Sequence, residues 1–275
     1  MAQDLTQCNQ VLQEFEQLIE SGECKPWSGT LRTGVDLGTA NIVLAVVDEE
    51  NRPVAGASYP STVVRDGIVV DYIGALHAVT TMKEQLEQKL HTTLEVGACA
   101  IPPGIIEGNV KVIGNVVEGA GFRLTNVVDE PTAASTVLGI QNGAVVDVGG
   151  GTTGISILKD GEVIFTGDEP TGGTHMTLVL AGFHGWSTQE AEQAKRDPAQ
   201  EHNVFPVVKP VVEKMAAIVK GYLKDYPVDQ VYVVGGACCF TQFESVFEKY
   251  LGIPVIKPAA PLLVTPLGIA VNCTL

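Results

Sequence analysis

Two aspartates, Asp36 and Asp147, head two copies of one pattern. The first copy reads Val35-Asp36-Leu37-Gly38-Thr39-Ala40-Asn41, the second Val146-Asp147-Val148-Gly149-Gly150-Gly151-Thr152. Each starts in an apolar run, turns through glycine and enters a second apolar run, at residues 42–47 or 155–158. Polar turns at 48–51 and 159–161 close both units. The pattern predicts two β-hairpins with Asp, Gly and Thr at their tips. A glycine-rich tip lets backbone N–H groups close on phosphate oxygens. Two tips facing each other would grip a phosphate chain from both sides, and their carboxylates would anchor a hydrated Mg²⁺. One copy alone reads equally as a tight turn, where Asp caps the backbone. Two copies with matched flanks favour a site.

These tips need a scaffold, and the rest of the chain supplies one. At 275 residues with 45% hydrophobic and only 6% aromatic content, Val, Ile, Ala and Gly carry the core. That suits an α/β protein with buried strands, and the length suits two lobes. The formal charge of −15 opposes a broad phosphate-backbone surface, so no nucleic-acid partner is expected. Backbone donors, helix N-termini and Mg²⁺ act locally, so a single nucleotide is compatible with that charge.

Cysteines stand at 8, 24, 99, 238, 239 and 273, with no CxxC pair and no metal-ligand spacing. They read as free thiols in a reducing compartment, with the Cys238-Cys239 pair as small-residue packing. The N-terminus has no basic leader character and no apolar run approaches a membrane span. A soluble cytoplasmic protein without membrane contact is therefore expected.

Residues 4–21 form an amphipathic pattern, with Cys8, Val11, Leu12, Phe15, Leu18 and Ile19 on one stripe and Gly22 to end it. This helix packs on its own chain or docks a partner. Strand signals follow around Asp66-Gly67, at 95–101 and at 124–128, with helices at 73–91 and 106–120. In the second half, 143–148 and 228–234 read as strands and 187–196, 207–225 and 240–251 as helices. A short strand at 254–256 and a last helix at 266–271 complete the pattern. Alternation of strands and helices in both halves predicts a doubly wound sheet in each. The halves are then hinged through helices at 131–140 and 266–273. Trp27 and Trp186 have no repeating aromatic context and read as packing residues. His175 reads as a helix-start residue.

Taken in order, the motifs resemble those of the actin, Hsp70 and sugar-kinase superfamily of ATP-binding proteins over residues 31–275. Asp36-Leu37-Gly38-Thr39-Ala40-Asn41 is similar to the Hsp70 first phosphate loop, with Ala40 where a second threonine usually stands. Asp129-Glu130-Pro131-Thr132-Ala133-Ala134 resembles the Hsp70 segment Asn-Glu-Pro-Thr-Ala-Ala, and Asp147 to Thr152 the second phosphate loop. Val234-Gly235-Gly236 is similar to the adenosine loop, and Pro266-Leu267-Gly268-Ile269-Ala270 to the second connecting helix. Within the superfamily the likeness is greatest to the EutJ family, small Hsp70-like proteins of bacterial ethanolamine utilisation.

This resemblance implies a two-lobed actin-like ATPase fold of duplicated ribonuclease-H-like domains. The expected division is a helical extension at 1–30, a first lobe at 31–141 and a second lobe at 142–275. It implies ATP and Mg²⁺ as cofactors, with Asp36 and Asp147 at the metal. Glu130 would face the γ-phosphate and position water; its other role would be charge complementarity at its helix N-terminus. Gly38, Thr39, Ala40, Asn41, Gly149, Gly150, Gly151 and Thr152 would hold phosphate. Gly172 and Gly173 would open a helix beside them and line the nucleotide site. Glu192 and Lys195, three apart on one helix face, would meet the adenosine with Gly235, Gly236 and Ala237, or form a surface ion pair. The lysine that Hsp70 proteins place beyond the first hairpins has Lys83 as its nearest candidate.

The family likeness further implies a slow ATPase with a chaperone-type role toward a protein client, ethanolamine ammonia-lyase or proteins of the microcompartment. An Hsp70-type peptide-binding domain is not expected. Alternatives are an actin-like scaffold or filament subunit, a pseudo-ATPase and a small-molecule kinase.

Overall fold

Each half of the chain builds a five-stranded sheet, and the two sheets share one strand order. The structure, a computed structural model, describes residues 5–65 and 67–275. Residues 1–4, including the expected helix start at Asp4, and the turn residue Asp66 lie outside the described residues. After helix α1 (Thr6–Ser21), strands β1 (Arg32–Leu37), β2 (Asn41–Val47) and β3 (Pro53–Pro60) form an antiparallel meander. The ribbon β4 (Val64–Arg65) and β5 (Ile68–Val69) follows, then α2 (Tyr72–Leu90), β6 (Val96–Ile101), α3 (Glu107–Gly119) and β7 (Arg123–Asp129). Strands β6 and β7 join in parallel, giving the order β3-β2-β1-β6-β7.

Helix α4 (Glu130–Leu138) leads into the repeat. Strands β8 (Gly143–Val148), β9 (Thr153–Lys159) and β10 (Glu162–Glu169) form the second meander. Helices α5 (Gly173–His184), α6 (Thr188–Arg196) and α7 (Glu201–Leu223) precede β11 (Val231–Val234), α8 (Phe243–Leu251), β12 (Val255–Ile256) and α9 (Val264–Val271). The order is β10-β9-β8-β11-β12, with β11 and β12 parallel to β8.

Each sheet is therefore mixed: the two expected Asp-bearing hairpins supply its antiparallel part, and the strands reached through helices add in parallel. Hairpins make three strands of each sheet antiparallel, because connections of three and five residues in the first sheet and four and two in the second can only reverse the chain. The turn between β2 and β3 is locked by Asp48. Its buried carboxylate accepts the N–H groups of Glu50 and Arg52, both at 3.0 Å, and the Arg52 guanidinium at 2.6 and 2.8 Å. Those bonds, with the charge of Arg52, hold the Asp48 carboxyl below its ordinary range against the effect of burial.

Helix α7 begins at Glu201, earlier than its expected start at 207, and contains Pro206 and Pro210. Each proline removes a helical donor. Burial of Val204, Phe205, Val208, Val211 and Val212 on one face offsets that loss. The stripe on α1 packs on the protein's own body: Leu12 and Phe15 are fully buried and Leu18 nearly so. Gly22, at φ +66°, caps it by donating its N–H to Leu18 O.

The two halves meet where α4 and α9 cross. The crossing is backbone against backbone. A Cβ on Gly268 of α9 would fall 2.0 Å from Ala133 O of α4, and one on Gly34 of β1 would fall 2.4 Å from Ala270 N.

Candidate functional site

Asp36 is the penultimate residue of β1 and Asp147 the penultimate residue of β8, so the shared topology delivers both to equivalent places. A cleft of about 480 Å³ opens between the hairpin tips. From the first tip it is lined by Asp36, Gly38, Thr39, Ala40 and Asn41, and from the second by Asp147, Gly149, Gly150, Gly151 and Thr152. The tips stand close together: a Cβ on Gly150 would lie 3.2 Å from Thr39 Cβ and 3.5 Å from Ala40 Cβ. Glu130 enters from the first turn of α4, and Gly235, Gly236 and Ala237 close the far wall with Glu192 and Lys195 beside them.

Helix α5 holds the second loop from behind. The N–H groups of Gly173 and Thr174 donate to Gly149 O (2.9 Å) and Gly150 O (2.7 Å). These bonds commit the Gly149 and Gly150 carbonyls to α5, and the Gly149 N–H closes the loop on Thr152 O at 2.9 Å. Gly172 was expected to line the site and does not. It stands behind the loop, where a Cβ would meet both carbonyls at 2.7 Å, while Gly173 reaches the lining. Nδ1 of His175 accepts the Gly172 N–H at 3.3 Å, as suits a helix-start residue.

Thr265, in the first turn of α9, donates its hydroxyl to Asp147 Oδ2 at 2.5 Å. Gly235, at φ +91°, leaves room for the other oxygen, since a Cβ there would fall 2.4 Å from Asp147 Oδ1. Burial, and then the charge of Asp147, push the Asp36 carboxyl up to about 7. Burial pushes Asp147 up to about 6, opposed by the Thr265 bond. Glu130 is raised well above its ordinary value by burial, with Asp147, Asp36, Asp168 and Asp129 adding to it. These carboxylates repel one another, so the site fits a cation that relieves them. Among the described residues no three His, Cys, Asp or Glu side chains are set to ligate a metal directly. The donor set suits a cation held largely through water and ligand oxygens.

The sign of this repulsion gives a test. A carboxyl whose folded pKa is raised stabilises the fold fully below its unfolded value and loses that contribution as pH rises through the folded one. For Asp36 the window runs from 3.8 to about 7. The metal-free, nucleotide-free protein is expected to melt at a lower temperature at pH 7.5 than at pH 5.5 in buffers of about equal ionic strength. The slope should be shallower in Asp36→Asn. Equal pH slopes in the two proteins would exclude the repulsion.

Glu192 and Lys195 form the i,i+3 ion pair and also line the cleft. Lys195 Nζ donates to Glu192 Oε2 (2.6 Å), Thr177 Oγ1 (2.8 Å) and Gly173 O (3.0 Å). Burial lowers the Lys195 ammonium, with Glu192 opposing; Lys195 and its neighbours keep Glu192 low against the effect of burial. Arg196, unremarked in the sequence, spans the cleft: it donates to Glu192 Oε1 at 2.7 Å and to Asn41 Oδ1 of the first tip at 3.5 Å.

Lys83, the nearest candidate for the Hsp70 lysine, lies on α2, paired with Glu87 at 2.6 Å and set over the Phe122 ring, and does not line the cleft. Two expectations need correction. Trp27 and Trp186 are exposed at 37% and 36% instead of packed, Trp186 stacking on His184. Cys238 is buried, but Cys239 is exposed and faces the cleft.

Residues 132–264 match the family model of the type IV pilus assembly protein PilM. The ethanolamine utilization protein EutJ of Salmonella typhimurium is 43% identical over 238 residues, which cover 86% of this chain and 84% of that protein. The crystal structure of EutJ from Carboxydothermus hydrogenoformans has 48% identity and a TM-score of 0.93, covering 98% of this chain and 99% of that one. The chain belongs to the EutJ family. More distant fold relatives include MreB5 of Spiroplasma citri, solved bound to AMPPNP, with a TM-score of 0.72 at 16% identity over 88% of this chain and 95% of that one. The EutJ fold is thus that of the actin- and Hsp70-like ATPases. Among the described residues no helix is long and apolar enough to cross a membrane.

Proposed function

We propose that this protein binds Mg-ATP between its lobes, hydrolyses it slowly and passes the resulting lobe movement to a protein client in ethanolamine utilisation. The observation that carries this reading is the convergence of both Asp-bearing tips and Glu130 on one cleft. A fold relative, MreB5 of Spiroplasma citri, was solved with AMPPNP, which supports a nucleotide as the ligand.

The backbone of the two tips and the hydroxyls of Thr39 and Thr152 hold the phosphate chain. Asp147, oriented by Thr265, and Asp36 order the water shell of Mg²⁺, which when bound neutralises phosphate charge. Glu130 accepts a hydrogen bond from the attacking water and aims it along the cleft. Glu192, Lys195 and the 235–237 turn hold the adenosine. Phosphoryl transfer needs chiefly placement and charge stabilisation, and these groups provide both. The client is ethanolamine ammonia-lyase or a protein of the microcompartment, reached in the cytoplasm. A pseudo-ATPase is the second reading, favoured by the position of Lys83 away from the cleft.

A melting experiment tests the nucleotide. At a ligand concentration of about 100 Kd, binding to the folded state adds about 2.7 kcal/mol. For a chain of this size that corresponds to a rise of roughly 5–10 °C. Mg-ATP and Mg-ADP are expected to give it and GTP to give less. No shift with any nucleotide at millimolar concentration would defeat the reading.

A further inference from the structure

Helix α1 touches both halves of the molecule. Its C-terminal turns belong to the first. Phe15 and Ile19 fill the space over Gly56 of β3, where a Cβ would fall 2.5 Å from the Phe15 ring. Just past the helix, Lys25 pairs with Glu14 and donates its N–H to Val54 O of β3 at 2.8 Å. Lys89 of α2 donates to Gly22 O at 2.9 Å. The N-terminal turns belong to the second half. Asn9 Oδ1 accepts the Ala259 N–H at 2.8 Å, and Leu5 and Leu12 share a buried cluster with Leu263 and Val264.

The segment that Asn9 holds is also the back of the cleft wall. Pro261 O accepts the Gly235 N–H at 2.9 Å. Leu262 lines the cleft, with its Cδ1 2.9 Å from where a Gly236 Cβ would stand. Between the two anchor points Ala260 sits at φ +43°, a left-handed conformation that an alanine keeps only under restraint. Asn9 restrains it from one side and Gly235 from the other.

From this geometry we infer that α1 is a strap between the halves whose docking holds the cleft wall at 235–239 through residues 259–263. Release of α1 then loosens that wall and weakens the hold on a ligand. The functional part of this inference rests on the nucleotide reading of the cleft. Linkage is reciprocal, so a nucleotide that needs the wall in place must also tighten α1.

Hydrogen exchange on the full chain tests the strap, in wild type, Asn9→Ala and Phe15→Ala, with and without Mg-ADP. Asn9→Ala removes the bond to Ala259 and leaves the apolar stripe intact; Phe15→Ala loosens the other end. Without nucleotide, Asn9→Ala is expected to speed exchange at 259–263 and 235–239 at least about fivefold, with β6 and β7 unchanged. Mg-ADP is expected to slow exchange along α1 in wild type and to bind Asn9→Ala at least about fivefold more weakly. Unchanged exchange at 235–239 in both variants, with α1 itself accelerated in Phe15→Ala, overturns the strap. If Phe15→Ala does not fold, the same amides in Asn9→Ala decide. A wild type that fails to bind Mg-ADP defeats the nucleotide reading instead, and the nucleotide-free comparison still decides the strap.

Discussion

In Asp147→Ala the Mg-dependent rise in melting temperature is expected to disappear, and any ATP turnover with it. Asp147 is buried, takes the Thr265 hydroxyl on one oxygen and stands against Gly235 with the other. No neighbouring carboxylate on β8 can replace it. The same substitution removes a source of repulsion on Asp36 and Glu130. The unliganded variant should therefore keep its stability at neutral pH while losing its ligand response, which separates loss of the site from loss of the fold. Glu130→Ala should behave differently. Glu130 takes no part in either phosphate loop, so Mg-ATP affinity is retained, while turnover falls by about 10²-fold or more, as for loss of one positioned catalytic group. Calorimetric titration beside single-turnover hydrolysis resolves the two. Undiminished hydrolysis in Glu130→Ala removes that residue from the mechanism; no hydrolysis in wild type selects the pseudo-ATPase.

Gly268→Val is expected to be the most destabilising single change outside the cleft. Any Cβ at 268 would meet the backbone of Ala133 and Ala134, and neither α4 nor α9 can yield without moving the strands behind it. Overpacking in a core costs about 1–3 kcal/mol where side chains can adjust, and more is expected where backbone must move. The comparison is Gly182→Ala in α5, where a Cβ meets nothing within 4 Å. There the helix gains roughly 0.5–1 kcal/mol. Urea midpoints should move in opposite directions; similar midpoints for the two variants would mean that the halves do not depend on the crossing of α4 and α9.

The parts of the site that were legible in the sequence are those written in consecutive residues. A hairpin tip needs its glycines, its Asp and its flanking strands within a dozen positions, so both tips and the α4 N-terminus could be read directly. Thr265 could not be, because its bond to Asp147 joins residues 118 apart. Arg196 and Asn41 meet for the same reason across 155 positions. Two strands also escaped. In β3 the run Ala55-Gly56-Ala57-Ser58 is made of small residues with little β signal, and the bulk over Gly56 comes from Phe15 and Ile19 of α1. In β10 no residue is buried and half of the eight are exposed, so no buried–exposed alternation appears. Gly172 misled for a subtler reason: a glycine beside a phosphate loop is needed equally by a loop that binds a ligand and by a helix that braces the loop from behind.

The closeness of the two tips would have a kinetic meaning for a nucleotide held between them. Gly150 stands beside Thr39 and Ala40, so the tips leave little width between them, and on the nucleotide reading proposed above a phosphate chain would enter only as they part. Arrival and departure would then wait for the halves to swing open about the α4–α9 crossing. The residence time of a bound ligand would then report how often that swing occurs, whatever the strength of the individual contacts. A factor that changed only the swing would speed entry and exit together and leave the equilibrium constant where it was, acting as an exchange catalyst.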